Sequence, residues 1–201
     1  MPKDHFAEKA SSYEHNQERV DNVAQIARAI LDAVEFKPSM ELMDFGSGTG
    51  LLLERIAPHV RKITAVDVSP AMHSQLREKL ERIACSVEQL ELDLAQTELD
   101  REFDGIISSM TLHHIQDVPA LLRTFHALLR EGGFIALADL DLEDGTFHTH
   151  DTGVHHAGFR HDELQRMTSE AGFRDVSIVA ASTLHKHDRD YPVFLLTARR
   201  G

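Results

Sequence analysis

The sequence predicts an α/β fold built on one mostly parallel sheet. Three observations lead to it. Short apolar runs alternate with amphipathic stretches from residue 41 to residue 140. The first run ends in an acid and opens into glycines at positions 46, 48 and 50. The alternation then breaks into a polar segment, and two further apolar runs follow it. Strands and helices alternating at this spacing give parallel strands joined by right-handed crossovers.

Each element has its own signal. Residues 1–14 are polar, with Phe6, Ala10 and Tyr13 along one apolar edge, and read as a short helix or arm. From Asn16 a helix is expected, because Val20, Val23, Ala27, Ile30, Leu31 and Val34 keep a 3.6-residue period. Pro38 stops it. Residues 41–45 are the first strand, and 49–57 the helix behind it, ended by Pro58. Residues 62–67 are the second strand. Ser69 is placed to cap the next helix, with Pro70 in its first position, and that helix is expected to reach about Arg82. Residues 86–92 form the third strand and 104–109 the fourth. Asp117 caps a helix striped by Leu121, Leu122, Phe125, Leu128 and Leu129 and closed by Gly132 and Gly133. Residues 134–140 are the fifth strand.

Beyond it, residues 141–159 carry Gly145, Gly153, Gly158 and several histidines. An irregular segment of this length inside a domain is usually functional or disordered. Residues 161–171 form a helix ended by Gly172. Residues 176–181 and 193–198 are the last two strands, joined by the polar connection S-T-L-H-K-H-D-R-D-Y-P. No linker, repeat or composition shift marks a second domain, so 1–201 reads as one.

Composition narrows the function. A net charge of −12 argues against a nucleic-acid partner, because binding a polyanion relies on Lys and Arg releasing counterions. No run of about 18 apolar residues is present, so no membrane insertion is expected. The N-terminus lacks the apolar core of a signal peptide. A single cysteine, Cys85, leaves neither an internal disulfide nor a zinc–thiolate cluster. These features together predict a cytoplasmic protein.

The chemistry gathers at the C-terminal ends of consecutive strands, where open parallel sheets bind ligands. After the first comes D-F-G-S-G-T-G, Asp44 to Gly50. Glycines let a ligand approach the main chain, and a helix start offers N–H groups to it. A nicotinamide fingerprint would need glycine where Leu51 stands, and a phosphate loop would need a Gly-Lys-Ser/Thr ending. At the end of the second strand Asp67 can accept from both hydroxyls of a ribose. After the third, Asp93 can accept from an exocyclic amine. After the fourth comes S-M-T-L-H-H-I, residues 109–115.

These pieces, with V-D-V-S-P at 66–70, E-L-D-L at 91–94 and L-L-R-E-G-G-F at 128–134, resemble the class I S-adenosylmethionine-dependent methyltransferases of the small-molecule type. The likeness extends to the ubiquinone/menaquinone-biosynthesis enzymes. The resemblance implies a single-domain Rossmann-like fold. Its seven-stranded sheet has helices on both faces and its last strand antiparallel beside the fifth. It implies S-adenosyl-L-methionine as cofactor, S-adenosyl-L-homocysteine as product, and a small-molecule acceptor.

It also implies site roles. Asp44 and the Gly46, Ser47, Gly48 and Gly50 loop hold the methionine end, with Ser109 beside it. Asp67 holds the ribose, Val68 and Met72 flank the adenine, and Asp93 with the Leu94 amide reads its edge. Tyr13 lies over the cofactor. Glu131 stands where the family commonly has proline, which costs turn rigidity only.

A sulfonium already activates the methyl group, so the protein mainly supplies proximity and alignment. A general base is needed only for an acceptor that carries a proton. Candidates are His113, His114, His155 and His156, with Tyr13 and Asp139 behind them. The run H-T-H-D-T-G-V-H-H, 148–156, also reads as a plain polar loop, a metal site or a pH-sensitive lid. Alternatives to methyl transfer are a cofactor-binding protein without transferase activity, and a metal-dependent enzyme using the histidines of 148–161.

Overall fold

The computed structural model describes residues 4, 7, 9–94, 96–148, 153–186 and 188–201. Phe6 of the expected arm, His150 of the histidine run and His187 lie outside the described residues. Among the described residues seven strands form one sheet: β1 (Glu41–Phe45), β2 (Lys62–Asp67), β3 (Ser86–Glu91), β4 (Phe103–Ser109), β5 (Leu129–Leu140), β6 (Phe173–Lys186) and β7 (Arg189–Arg200). Their order is β3-β2-β1-β4-β5-β7-β6. The first five pair in parallel. β7 runs antiparallel between β5 and β6. Chain order reverses at β1, with β2 on one side and β4 on the other, and such a switch point opens a crevice at the strands' C-terminal ends.

The helices are α1 (Gln17–Ala33), α2 (Leu51–Ile56), α3 (Pro70–Arg77), α4 (Val118–Leu128) and α5 (His161–Glu170). Side chains alternate across each strand, so adjacent residues feed opposite cores. Leu42 and Ile107 pack under Ile26 and Ile30 of α1, Leu53 of α2 and Leu76 of α3. Met43 and Ile106 pack under Leu122 and Phe125 of α4 and Leu164 of α5. Helices therefore cover both faces. Local signals start them where expected: Asn16, Ser69 and Asp117 accept from the backbone N–H groups of Arg19, Met72 and Ala120.

Several boundaries differ from expectation. α2 ends at Ile56, and Pro58 lies inside a following 3-10 turn, Ala57–His59. Pro58 stands in the first turn of that segment, where proline is tolerated, and α2 stops two residues before it. α3 stops at Arg77, with a separate 3-10 turn over Leu80–Arg82. β5 begins at Leu129, and its pairing with β4 is interrupted between Leu129 and Phe134, where Gly132 and Gly133 lie.

The last two strands are longer than the apolar runs. The polar connection between them is mostly a hairpin paired out to Lys186↔Arg189. Among the described residues β6 pairs with β7 alone, and few of its side chains are buried, so an apolar period is weak along it. Asp188 near the tip has φ 58°, a conformation that Asp tolerates better than most residues. Pro192 lies one residue beyond the final β5 pair, Leu140↔Val193, where no N–H to β5 is needed.

Candidate active site

The crevice holds a cavity of about 1000 Å³, at the upper end of small-molecule pockets. Residues from each expected strand end line it: Gly46, Gly48, Asp67, Val68, Met72, Asp93, Leu94 and Ser109, with Tyr13 from the N-terminal segment. His114 and His155 line it too. Asp44, Ser47, Gly50, His113 and His156 do not. Thr111, Gln116 and Thr124 are lining residues that the sequence reading missed.

The glycine loop is tied to β2. The N–H groups of Gly46 (2.8 Å) and Ser47 (3.2 Å) both donate to the Val66 carbonyl. The Gly48 N–H donates to Asp67 Oδ2 at 2.7 Å, and the Ser69 N–H to Asp67 Oδ1 at 2.9 Å. The Gly50 N–H donates to Ser47 O. The N–H groups of Gly46, Ser47, Gly48 and Gly50 are therefore spent within the chain. What the loop offers is closeness. A Cβ on Gly48 would meet nothing within 4 Å, whereas one on Gly46 would lie 2.3 Å from Thr111 Oγ1.

Asp67 keeps capacity beyond these bonds, because a carboxylate has about four acceptor sites. Burial holds its carboxyl above the usual range, against the lowering effect of the Ser69 and Gly48 N–H groups. Tyr13 lies under the Arg19 guanidinium, 3.9 Å from the ring centroid. Burial raises its phenol. Lys79, itself buried, ion-pairs with Glu14 next to Tyr13 and with Glu54 of α2. The segment carrying Tyr13 is thereby fixed to the sheet's helices.

Asp44 is almost wholly buried behind the wall residue Phe45, and its Oδ2 has no partner. The Ser109 Oγ is likewise buried and unpartnered. Burial, and then the charge of Asp67, push the Asp44 carboxyl up to about 8. From pH 3.8 to about 8 the native chain holds a proton that the unfolded chain has released. That stability is complete below the unfolded value and is lost as pH rises through about 8. Burial and the neighbouring His113 hold His114 and His148 down at about 4. Their contribution has the opposite sign: it is present above 6.5 and lost as pH falls through about 4. Between pH 6.5 and 8 the Asp44 effect therefore acts without theirs. The ligand-free protein is expected to lose up to about 1.4 kcal/mol per pH unit there. Urea midpoints at half-unit steps should show that slope, and Asp44→Asn should flatten it.

The histidines fall into two groups. Asp139 is fully buried at the end of β5. It accepts from His113 Nδ1–H at 2.6 Å, and from the N–H groups of His113 and Leu140. The His113 carbonyl accepts from the N–H groups of His155 (2.9 Å) and His156 (3.2 Å). His114 Nδ1 donates to Gly153 O, and His156 Nε2 to Ile115 O. The described part of 141–159 thus docks on the turn after β4, with His155 toward the cavity. His161 lies apart, bonded to Asp141. Among the described residues no group of three or more His, Cys, Asp or Glu is arranged to hold a metal ion. Cys85 is half-buried beside the first core.

The sequence matches a family model described as a methyltransferase domain over residues 13–178. An uncharacterised methyltransferase of Schizosaccharomyces pombe is 29% identical over 160 residues, 71% of this chain and 56% of the relative. Phosphoethanolamine N-methyltransferase 1 of Arabidopsis thaliana is 30% identical over 161 residues, 76% of this chain and 32% of the relative. The chain thus spans between about a third and just over half of these two relatives. Among solved structures, phosphoethanolamine N-methyltransferase 2 of Haemonchus contortus, in complex with S-adenosylhomocysteine, superposes with a TM-score of 0.74. It has 13% identity, and the match covers 98% of this chain and 59% of that one.

Proposed function

The chain belongs to the methyltransferase domain family, and on that premise we propose that it moves a methyl group from S-adenosyl-L-methionine to a small-molecule acceptor. The observation that carries this is the crevice at β1, where Gly48, Asp67, Asp93 and Tyr13 line one cavity. The residues suit the cofactor. Gly48 leaves open space, and Asp44 Oδ2 and Ser109 Oγ are buried polar atoms with bonding capacity left over. Bound S-adenosylmethionine supplies a methyl group already activated by a sulfonium.

The chain's own residues bind, orient and cover. Asp67 would accept from the ribose hydroxyls, while Val68, Met72 and Leu94 offer apolar surface to the adenine and Asp93 an acceptor to its amine. Asp44, Ser47, Ser109 and the Gly46–Gly50 loop would hold the amino-acid end. Tyr13 closes over them, and His114 and His155 face the acceptor. His113 and His156 support that end from behind. We read 1–201 as a single domain, with 1–36 covering the cavity and 141–159 acting as a lid. We also read it as a cytoplasmic protein without a nucleic-acid partner. No helix among the described residues is long and apolar enough to cross a membrane.

Titration calorimetry is the direct test. S-adenosylhomocysteine is expected to bind with one site per chain, and nicotinamide dinucleotides to give no heat beyond dilution. Dinucleotide binding without S-adenosylhomocysteine binding would overturn the reading.

A further inference from the structure

The proposed methyl transfer sets His113 behind the acceptor end and gives its buried partner, Asp139, no part. Asp139 and His113 are both nearly inaccessible, and neither lines the cavity. They are 26 residues apart in sequence. Parallel strands β4 and β5 bring them together, because the register Ser109↔Ala138 sets Asp139, next to last in β5, beside the turn after β4 that carries His113.

Burying a carboxylate is costly unless its acceptor sites are filled. Here three donors fill them: the His113 imidazole, the His113 N–H and the Leu140 N–H. Ring and main chain of one residue are thus held by a single side chain. Held in this way, His113 supports the two imidazoles that do line the cavity. Its ring lies against that of His114, with centroids 4.2 Å apart. Its carbonyl receives the N–H groups of His155 and His156. His114 in turn donates from Nδ1 to Gly153 O, since a carbonyl only accepts. That assigns the Nδ1–H tautomer to a neutral His114.

We propose that Asp139 and His113 form a positioning couple for the acceptor end of the cavity. They fix the turn after β4, and through it they set where the His114 and His155 imidazoles face the acceptor. Neither member touches the reacting atoms. The proposal deepens the methyltransferase reading and rests on it for what the cavity holds.

The test uses three variants of the full chain, each with and without S-adenosylhomocysteine. The readouts are amide exchange over residues 153–157 and long-range nitrogen–proton spectra of the imidazoles. His113→Leu removes the ring donor. It is expected to speed exchange at least tenfold and to shift the His114 and His155 imidazole signals. His113→Asn can place an amide N–H where Nδ1 was, and should restore both readouts to within about threefold. Thr168→Ala, which removes a buried hydroxyl bonded to Leu164 O in α5, should lower stability and move neither readout. Affinity for S-adenosylhomocysteine should change less than the exchange rate, because Asp67 and Gly48 lie at the other strand ends. Should His113→Leu not fold, Asp139→Asn carries the same expectation at smaller size.

Wild-type exchange and unshifted imidazole signals in the folded variant would overturn the couple. So would an Asn variant as disturbed as the Leu one. Failure of the wild type to bind S-adenosylhomocysteine would instead sink the methyltransferase reading. Exchange in the ligand-free protein would still decide the couple.

Discussion

Asp67→Ala is expected to weaken S-adenosylhomocysteine binding by roughly 10- to 150-fold, the 1.5–3 kcal/mol typical of hydrogen bonds to a charged group. The structure gives this side chain two duties. It lines the cavity, where its remaining acceptor sites can meet ribose hydroxyls, and it holds the Gly48 and Ser69 N–H groups. Alanine ends both. Asp67→Asn separates them: it keeps one acceptor oxygen but points an NH2 toward one of those donors. Calorimetry should place it between the parent and the alanine variant. Parental affinity in Asp67→Ala would mean that the end of β2 takes no part in holding the ligand.

Gly46→Val is expected to be the most destabilising change in the glycine loop, and Gly48→Val the one that strikes binding first. Gly46 has φ 69°, and its Cβ would lie 2.3 Å from Thr111 Oγ1. Backbone strain of about 1–3 kcal/mol adds to a similar overpacking cost. A total of roughly 2–6 kcal/mol is a large share of a typical folding margin. For a chain of this size it lowers Tm on the order of 10 °C. Gly48 has φ 52° and open space where a side chain would stand. Gly48→Val therefore adds strain without a protein clash, and its branches enter room the ligand needs. Thermal scans and calorimetry on both variants should show opposite rankings. Equal Tm losses with equal affinity losses would count against the division between a packing glycine and a ligand glycine.

Parts of this arrangement were legible in the sequence for physical reasons. β1 and β2 are mostly apolar runs with Asp44 one residue before the end of β1 and Asp67 at the end of β2, and both buried strands fall on the expected residues, 41–45 and 62–67. Their glycine and aspartate spacing pointed to one strand edge before any contact was known. The outer part of the β6–β7 hairpin was less legible: 176–181 and 193–198 read as strands, but the polar residues 182–192 between them read as a connection although most of them are paired. On the cavity wall, Gln116 and Thr124 carry no motif of their own, and only the folding of the turn after β4 and of α4 brings them to it, while Thr111 lies in the 109–115 stretch without a role read for it. The His113–Asp139 contact was hidden for a related reason. It depends on the β4–β5 register, to which neither residue's local sequence refers.

The insertion of β7 between β5 and β6 has a consequence for how the chain reaches this state. β5 is apolar from Phe134 to Ala138 and makes seven residue pairs with β7. Until β7 arrives, that edge is an unpaired template of the kind that recruits other chains. β6 cannot shield it, because the two strands are not neighbours. Assembly of the sheet must therefore wait for a strand that begins at Arg189, 49 positions after the end of β5 at Leu140. Such long-range closure is slow and exposes intermediates to aggregation. The interval before β7 docks is the most hazardous part of this protein's folding, and substitutions that weaken β7 will lower the yield of folded chain before they alter the site.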